Sequence, residues 1–346
     1  MKFEVIDFEN KDTWEKITKN KEVYFQWQYV DAFYKNGDGI PKLAYLKENN
    51  EYIFHVFLMR DISKDLSIDS SKYNYYDIIS PYGYGGLDIT SSNTKLLETF
   101  FDNFEKYCIE NNIISEFIRF NPLLENHTYY NQNKYEIINI SKTVYMKLEN
   151  EEQIWNDLES RCRNTIRKAQ KNNLKVISGF DKKQFEEFIN IYKETMKRDN
   201  ADNYYYFNDA FFESIYKNTK QYGKIYTVYY EDKAINSNII LFNGENAHYH
   251  LSGTLSEYMN MGANNLALYE IAVDLCKMGY KKFHLGGGYG GDASPLLKFK
   301  KSFNKFGELD FYIGKRIYNQ EIYNELCELK NISKEEKYFP AYRKFN

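Results

Sequence analysis

Apolar residues recur at two distinct spacings along the chain, and the alternation between them predicts mixed helices and strands. Residues 42–47 and 51–60 read as a strand pair around Glu48-Asn49-Asn50, because Ile53, His55, Phe57 and Met59 alternate with Tyr52, Phe54, Val56 and Leu58 in a largely buried run. A loop rich in aromatics and glycine is expected at 77–86. Leu97, Phe100, Phe101, Phe104 and Cys108 fall at helical spacing within 94–110, and strands are expected at 116–120 and 135–148. Further on, helices fit 151–172, 182–198, 209–218, 263–278 and 295–304, whereas strands fit 224–231, 234–242, 246–252, 281–285 and 309–313. No short repeat recurs, which excludes a solenoid. The same mixture in each half predicts two similar α/β domains, 1–148 and 149–346, joined at the acidic stretch Leu148-Glu-Asn-Glu-Glu-Gln153.

Composition narrows the function classes. The 346 residues are 43% hydrophobic and 27% charged, as in ordinary globular proteins, and 34 Tyr and 25 Phe are best read as compositional bias. Forty-six Lys and Arg against 49 Asp and Glu leave a net charge of -3, so a surface wholly devoted to a polyanion such as DNA is excluded and any anion site is local. Four cysteines lie far apart with no zinc-like or disulfide-scaffold spacing, which fits a reducing cytoplasm. The charged N-terminus lacks the apolar core of a signal peptide, and no stretch approaches a membrane span; a cytoplasmic location is expected.

Three segments carry candidate chemistry. Over 151–172, Ile154, Trp155, Leu158, Cys162, Ile166 and Ala169 share one helical face, while Arg161, Arg163, Arg167, Lys168 and Lys171 fall opposite. That cationic face is either simply solvated or a phosphate-tracking surface, with Arg163, Arg167 and Lys171 as its candidates. Gly286-Gly287-Gly288-Tyr289-Gly290-Gly291 follows a strand and precedes a helix opened by Ser294-Pro295. It satisfies G-x-G-x-x-G with Asp310 nineteen residues on, yet too little chain follows for a doubly wound sheet. A glycine loop approaching a ligand at a helix start is the more credible reading. In the next helix Leu296, Phe299 and Phe303 share a face with Lys300 beside it, and Lys300 facing the glycine loop would stabilise a developing oxyanion. His248, His250 and His284 are read as structural because no nearby carboxylate supports them as ligands; no metal is expected. Cys162 is read as a buried thiol.

Taken together, His248-Tyr-His-Leu-Ser-Gly-Thr254, Gly262-Ala-Asn-Asn-Leu-Ala-Leu-Tyr-Glu-Ile-Ala272, Phe283-His-Leu-Gly-Gly-Gly288, Leu297-Lys-Phe-Lys-Lys-Ser-Phe303 and Tyr312-Ile-Gly314 resemble the C-terminal domain of FemABX transferases and their GNAT-type relatives. Arg161-Cys-Arg-Asn-Thr-Ile-Arg-Lys-Ala169 resembles the start of that domain, so the likeness spans about 160–315. Ser80-Pro-Tyr-Gly-Tyr-Gly-Gly86 and Phe117-Ile-Arg-Phe-Asn-Pro122 look like the GNAT-type branch often linked to envelope sugars. The resemblance implies two tandem GNAT-like domains, each a mixed, largely antiparallel sheet flanked by helices. It also implies transfer of an aminoacyl group from aminoacyl-tRNA, or an acyl group from acyl-CoA, to an amino group of a peptidoglycan precursor or envelope amino sugar, with no bound cofactor. The site residues it implies are Phe299, Lys300 and Tyr249 for catalysis. For substrate it implies Arg198, with Tyr82, Tyr84 and Arg119 on the acceptor side and Gly286, Gly287 and Gly288 in the loop. Met259-Asn-Met-Gly-Ala-Asn264 keeps Gly262 of the pyrophosphate loop of acetyl-CoA-dependent relatives but lacks its basic or amide lead residue, which weakens the case for CoA. A non-catalytic glycan- or RNA-binding protein on the same fold and a dinucleotide oxidoreductase are the alternatives.

Overall fold

The structure, a computed structural model, describes residues 1–90, 93–288, 294–333 and 335–344. In chain order it begins β1 (Lys2–Asp7), α1 (Lys11–Thr18), α2 (Trp27–Asn36), β2 (Ile40–Glu48), β3 (Glu51–Asp61), α3 (Ile62–Leu66), β4 (Tyr76–Ile79), β5 (Leu87–Ile89), α4 (Thr94–Glu110), β6 (Ile113–Arg119) and β7 (Glu136–Lys147). There follow α5 (Glu151–Asp157), α6 (Ser160–Lys171), β8 (Lys175–Gly179), α7 (Lys182–Arg198), α8 (Asp209–Asn218), β9 (Gly223–Tyr230), β10 (Lys233–Asn243) and β11 (Asn246–Thr254). The chain closes with α9 (Ala263–Lys277), β12 (Lys282–Gly287), α10 (Pro295–Lys301), β13 (Glu308–Ile317) and α11 (Gln320–Leu329).

Two compact units share the chain: Met1–Lys19, Phe33–Ile140 and Tyr312–Asn346 in one, Asn20–Ala32 and Ser141–Phe311 in the other. Their topologies repeat. In the first, β1, β2, β3 and β4 are antiparallel neighbours, β4 pairs parallel with β6 across α4, and β6 pairs antiparallel with β13. In the second, β8, β9, β10 and β11 are antiparallel neighbours, β11 pairs parallel with β12 across α9, and β12 pairs antiparallel with β7. In chain order two helices follow the first strand each time, α1 and α2 after β1 and α7 and α8 after β8, although Trp27–Ala32 of α2 belong to the second unit. Two tandem GNAT-like folds result, each a mixed and largely antiparallel sheet with helices. A doubly wound parallel sheet, which the dinucleotide reading required, is not formed.

Hydrophobic periodicity locates most elements to within a few residues but misses β1, α1, α2, α3, β5, β8 and α11, and three stretches that it does read differ in the structure. The 151–172 stretch is two helices, because Leu158 and Glu159 are extended, with ψ of 144° and 151°. The break sinks Leu158 wholly into the core beside Ile154, Cys162 and Ile166. Residues 77–79 continue a strand rather than open a loop, since Asp77, Ile78 and Ile79 pair with both β3 and β6. In α10 the buried face carries Leu297 and Lys300, whereas Leu296 points outward. The last three glycine-loop positions, Tyr289, Gly290 and Gly291, lie outside the described residues together with Asp292 and Ala293.

Candidate active site

The pairing of β11 with β12 is short. Asn246, Ala247 and His248 lie opposite Lys282, Phe283 and His284, and there the parallel ladder stops. Beyond it β11 continues to Thr254 bonded to β10, while β12 shifts register at Leu285 and bonds Gly286 and Gly287 to Val144 and Thr143 of β7. With each strand still bonded to its outer neighbour but no longer to the other, a wedge opens between them past His248 and His284. Gly286 makes the turn of this register shift with φ of 75°, in the left-handed region that glycine tolerates without strain.

Side chains line the wedge from both walls. His284 and His248 are buried at its base; His284 Nε2 lies 2.9 Å from Thr143 Oγ1, and His248 Nε2 lies 2.7 Å from Glu22 Oε2. A carboxylate 226 residues earlier in the chain thus partners His248, which corrects the expectation that none is near. On the β11 wall the Tyr249 hydroxyl accepts from Asn264 Nδ2 at 3.1 Å, tying the strand to the first turn of α9. On the β12 wall Lys300 Nζ donates to the Gly287 carbonyl at 2.6 Å and stands 5.7 Å from the centroid of the Tyr249 ring. Phe299, partly buried, packs edge-on to Phe303 at 5.2 Å. Lys300, Phe299, Tyr249, Gly286 and Gly287 are therefore gathered in one place.

Lys300 is 7% exposed and has no carboxylate partner in the described structure. Burial alone lowers its ammonium to about 7, because removing a cation from water disfavours the charged form. His284 is held well below its usual value by burial first, then by His248 and Lys300. Burial raises the Tyr249 hydroxyl, keeping it a neutral donor and acceptor. Ser294 precedes Pro295 at the start of α10 but makes no side-chain capping bond, contrary to the expected cap. Among the described residues no group of His, Cys, Asp and Glu is placed to hold a metal ion. Cys162 is buried as expected, and its thiol is raised by desolvation.

The remaining candidates sit elsewhere. Arg198, at the end of α7, donates to the Thr254 carbonyl at the far end of β11 at 2.6 Å and forks onto Asp199. In the first unit, Arg119 N–H donates to Ser80 Oγ at 3.0 Å, and Gly85 N–H donates to the Arg119 carbonyl at 2.6 Å. These bonds fold the segment carrying Tyr82 and Tyr84 back onto β6, and burial pushes the Tyr84 hydroxyl upward. On α6, Arg163 donates to the Leu158 carbonyl at 2.5 Å and reaches those of Trp155 and Asn156, closing the C-terminus of α5. Arg167 lies 5.1 Å from the Trp155 ring centre, and Lys171 is exposed. Glu22, Asn264 and Thr143 escaped the sequence reading, since no local spacing links them to the wedge.

Gly262, with φ of 74°, joins β11 to α9, and a Cβ there would meet Thr165 Cγ2 at 2.7 Å and the Thr165 carbonyl oxygen at 3.1 Å. Helix α6 thus lies directly against the N-terminus of α9. A model of the acetyltransferase (GNAT) domain family matches residues 160–301, which contain the wedge and α10. The chain thus carries a GNAT-type acyltransferase domain over residues 160–301. No curated protein matches the chain. Among solved structures, FemX is 15% identical, with a TM-score of 0.66, over 94% of this chain and 99% of its own. L-PGS from Bacillus licheniformis is 11% identical at a TM-score of 0.58, covering 89% and 91%. The C-terminal domain of a putative lysylphosphatidylglycerol synthetase from Agrobacterium fabrum is 10% identical at 0.57, covering 91% and 93%. At these identities the likeness is one of fold.

Proposed function

We propose that this acyltransferase moves an aminoacyl group from an RNA ester to an amino group of a cell-envelope acceptor, a peptidoglycan precursor or an amino sugar. The observation that carries the reading is Lys300: a buried cation between the parted strands, touching one wall through Gly287 and facing Tyr249 on the other. The acceptor amine attacks the ester carbonyl, its C–N bond forms as the carbonyl π bond opens, and negative charge gathers on the carbonyl oxygen. Lys300 donates a hydrogen bond to that oxygen. The C–O bond to the ribose then breaks, and the departing oxygen takes up the proton released by the amine. Inside a largely dry wedge such a donor acts with little screening. Tyr249, fixed by Asn264, orients the substrate, and Phe299 lines the approach. Arg198 is assigned to the phosphates of the acceptor.

A GNAT domain is also compatible with an acyl-CoA donor, and a thioester would react at the same lysine. Met259, standing where acetyl-CoA-dependent relatives carry a basic or amide residue in the loop that holds the pyrophosphate, favours the ester. Lys300→Met tests the assignment. Turnover is expected to fall roughly 10²-fold or more, as for loss of one oxyanion donor, with KM little changed. Lys298→Met on the same helix, at an exposed position, serves as control. Equal small effects at both positions in single-turnover assays would remove Lys300 from the chemistry.

A further inference from the structure

One side chain on the second unit is displayed in a way that packing does not explain. Phe306 is 80% exposed, more than any other large hydrophobic residue described. The turn that carries it is firmly built: Phe306 N–H donates to Asn304 Oδ1 at 2.9 Å, Asn304 Nδ2 donates to the Tyr145 carbonyl at 2.8 Å, and Tyr145 N–H donates to the Gly307 carbonyl at 2.9 Å. Gly307 fits so closely that a Cβ would stand 2.1 Å from the Tyr145 oxygen. An exposed ring on a braced turn loses little entropy when a flat partner stacks on it.

Uncompensated positive charge lies next to the ring. Lys305 Nζ donates to the Asn156 carbonyl at 3.2 Å, and Arg163 reaches the same oxygen at 3.4 Å, so two cations converge on one neutral acceptor. Among the described residues neither has a carboxylate partner. Glu159 is paired with Arg161 at 2.6 Å and Glu308 with Lys301 at 3.0 Å, while Asp157, bonded to the neutral Gln153 amide, keeps its charge, so the two cations leave one net positive charge here. An anion bridging Lys305 and Arg163 would relieve their mutual repulsion.

We infer that Phe306, Lys305 and Arg163 form a docking platform for the single-stranded end of an RNA donor, the ring stacking on a base and the cations holding the adjoining phosphate. An aromatic face beside cations is how proteins grip single strands without reading sequence. A lone apolar side chain offers too little area to anchor a membrane surface, which needs a wider apolar face. The turn directly follows α10, the helix that carries Lys300. The inference rests on the RNA-donor reading above.

Fluorescence anisotropy with a labelled single-stranded ribo-oligonucleotide and with uncharged tRNA tests it. Phe306→Ala is expected to weaken both about 10- to 100-fold, the usual cost of one lost base stack, while Phe306→Trp retains binding. Lys305→Gln is expected to flatten the log-log salt dependence by about 0.7, the value for one phosphate contact on a single strand. Unchanged affinity for Phe306→Ala, in a protein that still accepts the aminoacyl group from charged tRNA, overturns the platform and leaves the donor reading standing. Absence of RNA binding by the wild type, with transfer from an acyl thioester intact, overturns both. Phe306-dependent binding to vesicles of phosphatidylcholine and phosphatidylglycerol that RNA does not displace would make the patch a membrane contact and also overturn the platform.

Discussion

At the scale of single residues, the buried Lys300 ties the protein's stability to pH. A lysine in the unfolded chain keeps its proton to about pH 10.4, whereas folded Lys300 releases it near 7. Between these values the unfolded state binds more protons, so the contribution of Lys300 to native stability improves as pH rises through that window. Below it the fold must hold a buried, charged ammonium. Lys300→Met removes this burden, and the variant is expected to be more stable than wild type at pH 6, with the difference shrinking between pH 7 and 10. Urea unfolding midpoints across that range check the sign; a difference independent of pH would mean the ammonium is not desolvated. Activity and stability thus pull opposite ways at this position, as expected where a buried group serves chemistry.

Among elements, the division of 151–172 into α5 and α6 decides what the cationic face can do. The helix end left open at Leu158 is closed by Arg163, whose guanidinium is thereby partly a structural group. Arg163→Gln is expected to destabilise the protein by about 1–3 kcal/mol through the lost charge-assisted bonds. Lys171→Gln, at an exposed position in the last turn of α6, is expected to stay within about 0.5 kcal/mol. Chemical denaturation separates the two, and equal costs would argue against the capping role. The wedge likewise belongs to elements: it opens where β11, still bonded to β10, and β12, still bonded to β7, stop pairing with each other.

For the whole molecule, the chain's two ends matter in ways their composition does not reveal. Asp77 on β4 is fully buried and accepts from Arg60 Nε at 2.6 Å, from the Tyr342 hydroxyl at 2.9 Å and from Arg343. The flanking charges hold its carboxyl below the usual range against the opposing effect of burial. Removing residues 341–346 leaves that carboxylate with one donor of three. Breaking a buried pair typically costs about 3–5 kcal/mol, so the truncated chain is expected to lose the first unit's cooperative transition, seen as a lower or absent calorimetric peak. Survival of the full transition would show that Arg60 alone suffices. In the second unit, Glu22 reaches His248 and Asp31 accepts from Ser214 at 2.6 Å, so a stretch near the N-terminus supplies buried partners there.

Sequence by itself determined the elements and their chemistry. Period-2 and period-3.6 apolar spacing located β3, α4, α7, α9 and β10 because each has a face committed to a core. The motifs around Tyr249, Gly286 and Lys300 were legible as a group for their resemblance to known transferases. Short or half-exposed pieces such as β5 and β8 carried too little pattern to be read. Only the tertiary structure decided that β11 and β12 part after three residue pairs, that Lys300 bonds the Gly287 carbonyl, and that Glu22 lies against His248. Those facts depend on which strands become neighbours and on side chains hundreds of positions apart, and local spacing carries no record of either.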